Sequence, residues 1–459
     1  MGLTLYGLNA QDLCSNTKYL QKNSIFYIMG DFNFEKFLPF VLKKKPLAII
    51  LEKKSKSKVD YKNIIVVEDV RKIYRQDVEK FYYDLFTSFE HIGITGTKGK
   101  STIAYTLFKC LQNLSQDVAY IGTMGLYYKS HHESMVNTTP GLNDFVEILK
   151  KLSSEKIDTL VSEVSSQAIL QDRVAIDYFR HRVFTDLSEE HLDCHLNMEN
   201  YFEEKAKFFR GKSNYTAYIL DRSLYGDRVA KSIDVKTIRY GLKNSNLSDD
   251  LNGLTLEYEK TDFKTHLTGF FNGENIACVL SVLSNLNFKK NEMQKALEEV
   301  KFIPGRMEKI TSFNGGFIYV DYAHSSESLE FVLSAVSSKV KGKLNVIFGC
   351  GGNRDPLKRP LMAKSAEKYA DIIVVSNDNP RSENPLDIIK DIESGFSDKA
   401  RYQIILDRKK AIEDTMSQLN SGDVLLICGK GHENYQIIGD KKEYFCDKQV
   451  VLEYAKSFS

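Results

Sequence analysis

Short apolar runs alternate with amphipathic stretches along most of the chain. The pattern is clearest towards the end, where KLNVIFGCGG, DIIVVSNDNP and DVLLICGKGH are apolar runs that finish in polar and glycine residues. The stretches between them, such as SAEKYA and RKKAIEDTMSQL, have helical spacing. Strands that alternate with helices predict a parallel sheet with crossover helices.

The same alternation occurs earlier in the chain. SIFYIM, LAIILE and NIIVVED indicate strands near the start, and TLVSEVS and HRVFTDLS indicate strands in the middle. We therefore predict an α/β protein of three domains: residues 1–88, a central domain with a parallel sheet of the phosphate-loop type at 89–304, and a Rossmann-like domain at 305–459. No internal repeat or low-complexity tract interrupts this pattern.

Ligands of open α/β sheets bind outside the carboxyl ends of the strands. This rule selects three loops of the last domain: GCGGNRDPLKR, NDNPRSE and GKGHENY. Arg354, Arg381 and Glu433 bring both signs of charge to these loops. Arginine binds carboxylates through two hydrogen bonds, and a glutamate can hold an ammonium group. The loops thus favour a substrate with both carboxylates and amines.

A glycine-rich stretch, GITGTKGKST, starts at Gly93 between a β-branched run and residues of helical spacing. Glycines let backbone N–H groups surround a polyphosphate, Lys100 can neutralise its charge, and the Ser101 hydroxyl can hold magnesium. Five residues separate Gly93 from Gly99, whereas the commonest pattern has four. We predict a nucleotide site here, with a plain glycine-rich turn as the alternative.

The central segment carries groups that could bind a metal ion. Glu163 lies at a strand end in SEVSSQ, and His191 and His195 follow FTDLS in EEHLDCH. Together they could complete a magnesium shell, although zinc is an alternative for two histidines four apart, and either histidine could be structural. Lys205 follows on a predicted helix, where a solvated lysine is the simplest interpretation.

Two further motifs carry polar groups. NTTPG, at 137–141, offers two hydroxyls before a predicted helix, where they could also serve as an N-cap. DYAHSS, at 321–326, places an acid, a phenol and an imidazole after the strand GGFIYV, and Arg306 precedes it in PGRME. The groups of DYAHSS could contact a nucleotide.

Composition narrows the class of protein. The chain has 459 residues, 42% of them hydrophobic and 27% charged, and a net charge of +2 that gives no electrostatic reason to expect nucleic acid or membrane partners. Its apolar runs are too short for a bilayer span, and we expect no signal peptide and a cytoplasmic location. The seven scattered cysteines predict reduced, mostly buried thiols.

Taken in order, several motifs closely resemble the Mur ligases of bacterial cell-wall synthesis. They are GITGTKGKST, NTTP, EVSSQ, HLDCH with its downstream lysine, GFFNGEN, PGRME, DYAH, GGNRDPLKRP, DNPR and GKGHE, over residues 91 to 436. The resemblance implies an amide ligase that uses ATP and Mg²⁺. ATP would phosphorylate the side-chain carboxylate of a D-glutamate, and an incoming amine would attack the acyl phosphate.

The resemblance also implies roles for residues, taken position by position. The implied catalytic residues are Lys100, Glu163, His191 and Lys205, and the implied metal ligands are Ser101, Glu163, His191 and Lys205, the lysine as its carbamate. The implied ATP contacts are Gly96, Thr97, Gly99, Lys100, Ser101, Thr102, Asn272, Asn275, Arg306, Asp321 and His324. The implied contacts of the UDP-muramoyl dipeptide, attributed to the N-terminal and central domains, are Ser15, Thr138, Thr139, Ser165, Gln171 and Arg173.

The implied amino-acid pocket is formed by Arg354, Asp378, Asn379, Arg381, Gly429 and Glu433. DNPR is typical of the members that use meso-diaminopimelate, because Arg381 can pair with a second carboxylate, which lysine lacks. Lanthionine or lysine remains an alternative amino acid. The competing hypotheses for the whole protein are a folylpolyglutamate synthase, a ligase of another Mur step, a non-catalytic Mur-like binding protein, and a phosphate-loop kinase or transport ATPase.

The chain departs from the family pattern at a few positions. Lys98 stands where asparagine is usual, Ser101 where threonine is common, and Ser-Ser follows DYAH in place of Thr-Pro. The stretch Ser15–Thr17 is only weakly similar to the uridine-binding segment. We expect a monomer.

Overall fold

The computed structural model describes residues 3–30, 32–188, 197–211, 214–243, 245–397 and 399–458. The chain forms two compact units. The first comprises Met1–Gly241 and Cys278–Phe288, and the second comprises Leu242–Ala277 and Lys289–Ser459.

The first unit begins with a short hairpin and a small parallel sheet. The hairpin is β1 (Leu3–Leu5) and β2 (Leu8–Ala10), and the sheet has the order β3 (Asp12–Cys14), β4 (Ser24–Tyr27), β5 (Ala48–Glu52) and β6 (Ile64–Val67). Its helices are α1 (Phe34–Lys44), α2 (Val70–Phe81) and α3 (Tyr83–Thr87). The side chains of Asn33 and Asp69 accept backbone N–H groups at the starts of α1 and α2, which fixes where both helices begin.

An eight-stranded sheet forms the rest of the first unit. Its strands are β7 (Glu90–Thr95), β8 (Val118–Gly122), β9 (Gly125–Tyr128), β10 (His131–Glu133), β11 (Thr159–Glu163), β12 (Phe179–Phe184), β13 (Thr216–Leu220) and β14 (Lys236–Tyr240). They lie in the order β10-β9-β8-β11-β7-β12-β13-β14, and all neighbouring pairs are parallel apart from the two pairs that β9 makes, with β8 and with β10. The accompanying helices are α4 (Lys100–Asn113), α5 (Leu142–Ser154), α6 (Ser166–Leu170), α7 (Met198–Ala206) and α8 (Leu224–Lys231).

The second unit contains a small antiparallel sheet and a larger, mostly parallel one. The antiparallel strands are β15 (Leu247–Asp250), β16 (Gly253–Tyr258) and β17 (Thr261–Thr265). The larger sheet is built from β18 (Glu308–Phe313), β19 (Gly316–Asp321), β20 (Leu344–Phe348), β21 (Ile372–Val375), β22 (Tyr402–Ile404) and β23 (Val424–Cys428), and a hairpin, β24 (Tyr435–Ile438) and β25 (Lys441–Tyr444), follows. The order β18-β19-β23-β20-β21-β22 is parallel apart from β18.

The chain passes between the units within helix α9 (Phe270–Asn285). The later helices belong to the second unit: α10 (Lys290–Glu298), α11 (Ser326–Ser337), α12 (Lys358–Tyr369), α13 (Pro385–Glu393), α14 (Arg408–Ser417) and α15 (Asp447–Lys456). Strands β20 and β23 are buried along their whole length, because the sheet of this unit is covered on both faces.

The predicted α/β class, with a central parallel sheet and a Rossmann-like C-terminal sheet, is confirmed. Strand β22 and the hairpin β24–β25 were not expected from the sequence pattern. The boundaries at residues 88 and 304 stay a prediction.

Five of the six cysteines in the described ranges are buried and all six are free thiols, as expected. Within those ranges, no helix has the length and apolar character needed to cross a membrane.

Candidate active site

The glycine-rich stretch forms a tight loop between β7 and α4. Gly96 and Gly99 have φ angles of 137° and 83°, and Gly99 is the N-cap of α4. A Cβ on Gly96 would lie 1.8 Å from Thr185 Oγ1, so only glycine fits there. The Thr97 N–H donates to the Asp186 carbonyl at 2.8 Å, which attaches the loop to the end of the neighbouring strand β12.

Lys100 lies at the first position of α4 and folds back over the loop. Its ammonium donates to the carbonyls of Gly96 at 2.9 Å and Thr97 at 2.7 Å. Ser101 and Thr102 follow it, buried in the first turn of the helix. A lysine charge at the positive end of a helix makes the loop a favourable site for a phosphate chain.

Glu163 ends β11, directly beside β7, and is completely buried. Its carboxylate accepts hydrogen bonds from Ser101 Oγ at 2.9 Å, Tyr120 Oη at 2.5 Å and the Thr123 N–H at 2.9 Å. Tyr120 and Thr123 were not predicted. Thr123 directly follows the carboxyl end of β8, so the rule that ligands bind at strand ends was the available signal for it, whereas Tyr120 lies in the middle of that strand.

The polar groups around the loop fit a nucleotide and a hard metal ion. The carboxylate of Glu163 and the hydroxyl of Ser101 are oxygen ligands of the kind that Mg²⁺ prefers. The buried hydroxyls of Thr95 and Thr185, at the ends of β7 and β12, have no hydrogen-bond partner among the described residues, as expected where a ligand supplies one.

Part of the predicted metal site lies outside the described residues. His191 and His195 belong to the segment 189–196, so neither the magnesium role of His191 nor the zinc alternative is tested. In the ranges that the structure does describe, no three His, Cys, Asp or Glu side chains are grouped so as to hold a metal ion.

Lys205 lies on α7 and is 1% exposed, which excludes a solvated lysine. Its ammonium donates to the Gly96 carbonyl at 2.9 Å and lies 4.9 Å from the centre of the Tyr201 ring. The Tyr201 hydroxyl is 3.2 Å from Thr97 Oγ1. Helix α7 therefore contacts the phosphate loop through two side chains, one of which was predicted from the resemblance and one of which was missed.

The hydroxyls of NTTPG bind the strand ends rather than a helix. Thr139 Oγ1 donates to the Glu163 carbonyl at 2.8 Å and accepts the Ser165 N–H at 3.0 Å. Thr138 Oγ1 lies 3.1 Å from Thr123 Oγ1. Gly141 is the N-cap of α5 and provides no side-chain cap, so neither threonine serves as the cap. Thr138, Thr139 and Ser165 thus surround the carboxyl end of β11.

A cavity of about 550 Å³ opens in the first unit and contains three of the predicted substrate residues, Ser15, Gln171 and Arg173. The Ser15 N–H and Oγ both donate to Asn143 Oδ1, at 2.8 and 2.7 Å. Further lining residues were not predicted as contacts: Phe32, Phe37, Arg71, Tyr74, Asn137 and Asn143. The cavity has aromatic, amide and cationic groups together.

Arg71 and Arg173 bring positive charge to this cavity, whose lining also includes the carboxylates of Asp144 and Asp172. Burial and the nearby Arg71 charge lower the pKa of Arg173, whose guanidinium also donates to the Gln171 side-chain carbonyl. An anion between the two guanidinium groups would relieve their repulsion. Arg71 was missed because it occupies an ordinary helical position in α2, where a solvated face is the usual interpretation.

The nucleotide residues predicted from the later motifs lie in the second unit. Asp321 ends β19 and accepts N–H groups from Met307 at 2.7 Å and Ala323 at 2.8 Å. Burial raises the pKa of Asp321, and the Arg306 charge opposes that shift. The Arg306 guanidinium lies 4.9 Å from the Tyr322 ring centre, and His324 is exposed. Asp321 therefore holds the backbone just before β18 and just after β19.

Asn272 and Asn275 lie in the first turns of α9. The Asn272 amide donates to the Thr268 carbonyl at 2.6 Å, and the Asn275 amide donates to Asn272 Oδ1 at 3.1 Å. Asn272 is buried, and its hydrogen bond to Thr268 holds the backbone just before the helix begins.

The three loops predicted to form the amino-acid pocket meet at one edge of the second unit's sheet, because β23, β20 and β21 are neighbours. Asn379 Nδ2 donates to Glu433 Oε2 at 3.0 Å, and Arg381 Nη1 donates to the Gly352 carbonyl at 2.8 Å. Gly429 has a φ of 115°, and a Cβ there would lie 2.5 Å from Asp378 Oδ2. The side chain of Arg354 is exposed at the same edge.

Lys430 was missed, although it belongs to the GKGHE motif. It is completely buried, donates to Asn379 Oδ1 at 3.2 Å and pairs with Glu433 Oε2 at 3.4 Å. A buried ammonium between an amide oxygen and a carboxylate keeps Asn379 and Glu433 in fixed positions. Its place between two predicted pocket residues in sequence was the available signal.

Comparison with known proteins gives two matching family models and many relatives. The Mur ligase middle domain matches residues 94–285, and the Mur ligase glutamate ligase domain matches residues 305–431. A UDP-N-acetylmuramoyl-L-alanyl-D-glutamate--2,6-diaminopimelate ligase of Aquifex aeolicus is 35% identical over 99% of this chain and 95% of its own length. A ligase of the same name, numbered 1, from Clostridium acetobutylicum is 36% identical over 86% of this chain and 83% of its own length.

Solved structures agree with these relatives. The structure of a UDP-N-acetylmuramoyl-L-alanyl-D-glutamate--2,6-diaminopimelate ligase superposes with a TM-score of 0.71 at 26% identity, covering 100% of this chain and 99% of the other. The MurF ligase of Thermotoga maritima in complex with ADP has a TM-score of 0.64 at 19% identity, over 98% and 97% of the two chains, and so shares the fold. The chain belongs to the Mur ligase family.

Proposed function

We propose that this protein is an ATP-dependent ligase that joins meso-diaminopimelate to the D-glutamate of UDP-N-acetylmuramoyl-L-alanyl-D-glutamate. The observation that carries the proposal is the contact of Ser101 with Glu163 beside the phosphate loop, which brings a nucleotide site to the carboxyl edge of the first unit's sheet. The names of the relatives supply the substrates. The product belongs to peptidoglycan precursor synthesis.

The reaction has two steps. The γ-phosphoryl group of ATP passes to an oxygen of the D-glutamate side-chain carboxylate, giving an acyl phosphate and ADP. The amine then attacks the acyl carbon, the tetrahedral intermediate expels inorganic phosphate, and the nitrogen loses a proton. Because phosphoryl transfer depends mainly on positioning and charge neutralisation, a loop with Lys100 at its edge suits the first step.

Ser101, Glu163 and His191 are the residues that would hold magnesium, and Lys205 would add a carboxylate once carbamylated. The bound ion would neutralise charge on the phosphates and orient them. The burial of Lys205 supports this role, because its side-chain nitrogen lies 2.9 Å from the Gly96 carbonyl, next to the phosphate loop.

The cavity of the first unit is suited to the UDP-muramoyl part of the substrate. Arg71 and Arg173 would bind the diphosphate, Phe32 and Phe37 provide aromatic surface for the base, and the amides of Asn137 and Asn143 provide polar contacts. Thr138, Thr139 and Ser165 would place the peptide end of this substrate next to Glu163.

The strand-end loops of the second unit are suited to the amino acid. Arg381 and Arg354 would bind carboxylates, and Glu433 and Asp378 would bind ammonium groups. Lysine has only one carboxylate, so it would leave one arginine without its anion. This difference predicts a diamino diacid.

Phosphate release tests this proposal. The full-length protein, ATP, Mg²⁺ and the UDP-muramoyl dipeptide are combined with meso-diaminopimelate, lanthionine or lysine, and phosphate is measured together with the mass of the product. Release should be fastest with meso-diaminopimelate and slow with lysine. Release with lysine alone would contradict the role of Arg381, and no release with any amino acid would favour a non-catalytic binding protein.

A further inference from the structure

One buried ion pair in the second unit is not explained by the proposed site. The side chains of Arg408, the first residue of α14, and Asp447, the first residue of α15, are both 0% exposed. The Asp447 carboxylate accepts from Arg408 Nε at 2.8 Å and from Nη2 at 2.8 Å. Removing two charges from water is costly, so a fully buried pair is weak evidence for stability and needs another explanation.

The remaining hydrogen bonds of Arg408 go to the ends of two strands. Nη2 donates to the Cys428 carbonyl at 2.9 Å, and Nη1 donates to the Asn377 carbonyl at 3.3 Å. Asn377 directly precedes Asp378 of the DNPR loop, and Cys428 is the residue before Gly429 of the GKGHE loop. One guanidinium group therefore holds the starting points of both loops.

These loops carry most of the amino-acid pocket, and they depend on each other. Glu433 accepts from Asn379 at 3.0 Å, so a shift of one loop changes the position of a side chain on the other. The planar guanidinium fixes both carbonyls at once because Asp447 holds it through two parallel hydrogen bonds.

We propose that Arg408, held by Asp447, is a positioning residue that sets the spacing of the DNPR and GKGHE loops and thereby the affinity for the amino-acid substrate. The inference rests on the proposed function of the pocket. It predicts that the pair affects the use of the amino acid and leaves the use of ATP and of the muramoyl dipeptide unchanged.

A double variant separates positioning from stability. Removing one partner would leave a buried charge and unfold the protein, whereas replacing both by apolar residues of similar size is often tolerated. The variant Arg408→Met with Asp447→Leu should keep a thermal midpoint near that of the wild type. Its kcat/KM for meso-diaminopimelate should fall on the order of a hundredfold, because a small misplacement of binding groups has effects of that size.

The matched control is Lys410→Ala with Asp414→Ala. This pair lies on the same helix at 2.9 Å, but it is exposed. This control variant should leave the KM values for ATP, the muramoyl dipeptide and meso-diaminopimelate unchanged. A further variant, Arg408→Lys, keeps the charge but cannot reach both carbonyls, and it should recover only part of the lost kcat/KM.

Two results would overturn the inference. A folded double variant with wild-type kcat/KM for meso-diaminopimelate would show that the pair is merely structural, and equal losses for ATP and the amino acid would show a general disturbance. Wild-type phosphate release is measured first. An inactive wild type would contradict the proposed function, and this inference with it, whereas an active wild type beside an unaffected double variant would contradict this inference alone.

Discussion

The phosphate loop and the amino-acid pocket both lie at the carboxyl ends of parallel strands, but they are built differently. The loop is local: Lys100 contacts carbonyls three and four residues before it, and glycines make the turn. The pocket is assembled over distance: Arg381 contacts a carbonyl 29 residues away, and Asn379 contacts a side chain 54 residues away.

This difference has consequences for function. The turn of the loop is set by its own glycines and lysine, so its essential parts can be recognised in a short motif, although Glu163 and Lys205 also contact it. A pocket made of side chains from three loops depends on residues that hold those loops, which have no motif of their own. Variants in the two regions should therefore fail in different ways.

The largest effect is expected at the phosphate loop. Lys100→Met should lower kcat about 100- to 1,000-fold, because a positive group that stabilises the transferring phosphate is lost. The KM for meso-diaminopimelate should stay near the wild-type value. Steady-state phosphate release checks both, with the exposed Lys231→Met as control. A large rise in the KM for meso-diaminopimelate with an unchanged kcat would show that the phosphate loop and the amino-acid pocket do not have separate roles.

A smaller and more selective effect is expected at Arg381. Loss of its charge-assisted contact with the substrate should cost roughly 1.5–3 kcal/mol of binding free energy, which raises the KM for meso-diaminopimelate about 10- to 100-fold. The KM for ATP should stay unchanged. Because Arg381 has a φ of 53°, Arg381→Gly and Arg381→Ala are compared. Similar losses would assign the effect to the guanidinium group, and a loss in the alanine variant alone would assign it to backbone strain.

The smallest effect concerns acid stability of the sheet that carries the loop. Burial lowers the pKa of His91, on β7, to about 4. In the unfolded chain this histidine binds a proton below its ordinary pKa of about 6.5, whereas in the folded chain it stays neutral until the pH nears 4. Its contribution to the free energy of unfolding is therefore fully present above pH 6.5 and falls as the pH drops towards 4. Between pH 7 and pH 5 the wild type should lose about 2 kcal/mol relative to His91→Phe.

Denaturant unfolding at the two pH values measures this difference. The exposed His131→Gln variant is the control and should behave as the wild type does. If the wild type and His91→Phe lost stability in parallel, His91 would not be the group that titrates.

The sequence predicted the local features well. The glycine spacing placed the loop between β7 and α4, and the apolar runs placed β20, β21 and β23, whose neighbouring ends then brought Arg381 and Glu433 to one edge. The burial of Lys205 could not be derived from its own stretch, which has the composition of a solvated helix, and the resemblance alone singled it out.

Features that depend on long-range packing were not predicted. Arg408 and Asp447 are separated by 39 residues, and each occupies an ordinary first helical position. The proposed role of Arg71 likewise depends on a cavity that α2 forms with residues near Arg173. Strand β22 has only three residues, too few for a period-two pattern. The role of His191 stays a prediction, since the residue lies outside the described ranges.

The central claim is that the phosphate loop serves to activate a substrate carboxylate. The direct test uses UDP-muramoyl dipeptide labelled with ¹⁸O at both oxygens of the side-chain carboxylate of its D-glutamate, with ATP and meso-diaminopimelate, and mass analysis of the released phosphate. Transfer of the phosphoryl group to that carboxylate predicts one ¹⁸O atom in each phosphate molecule. Unlabelled phosphate released together with the amide product would contradict the acyl-phosphate route.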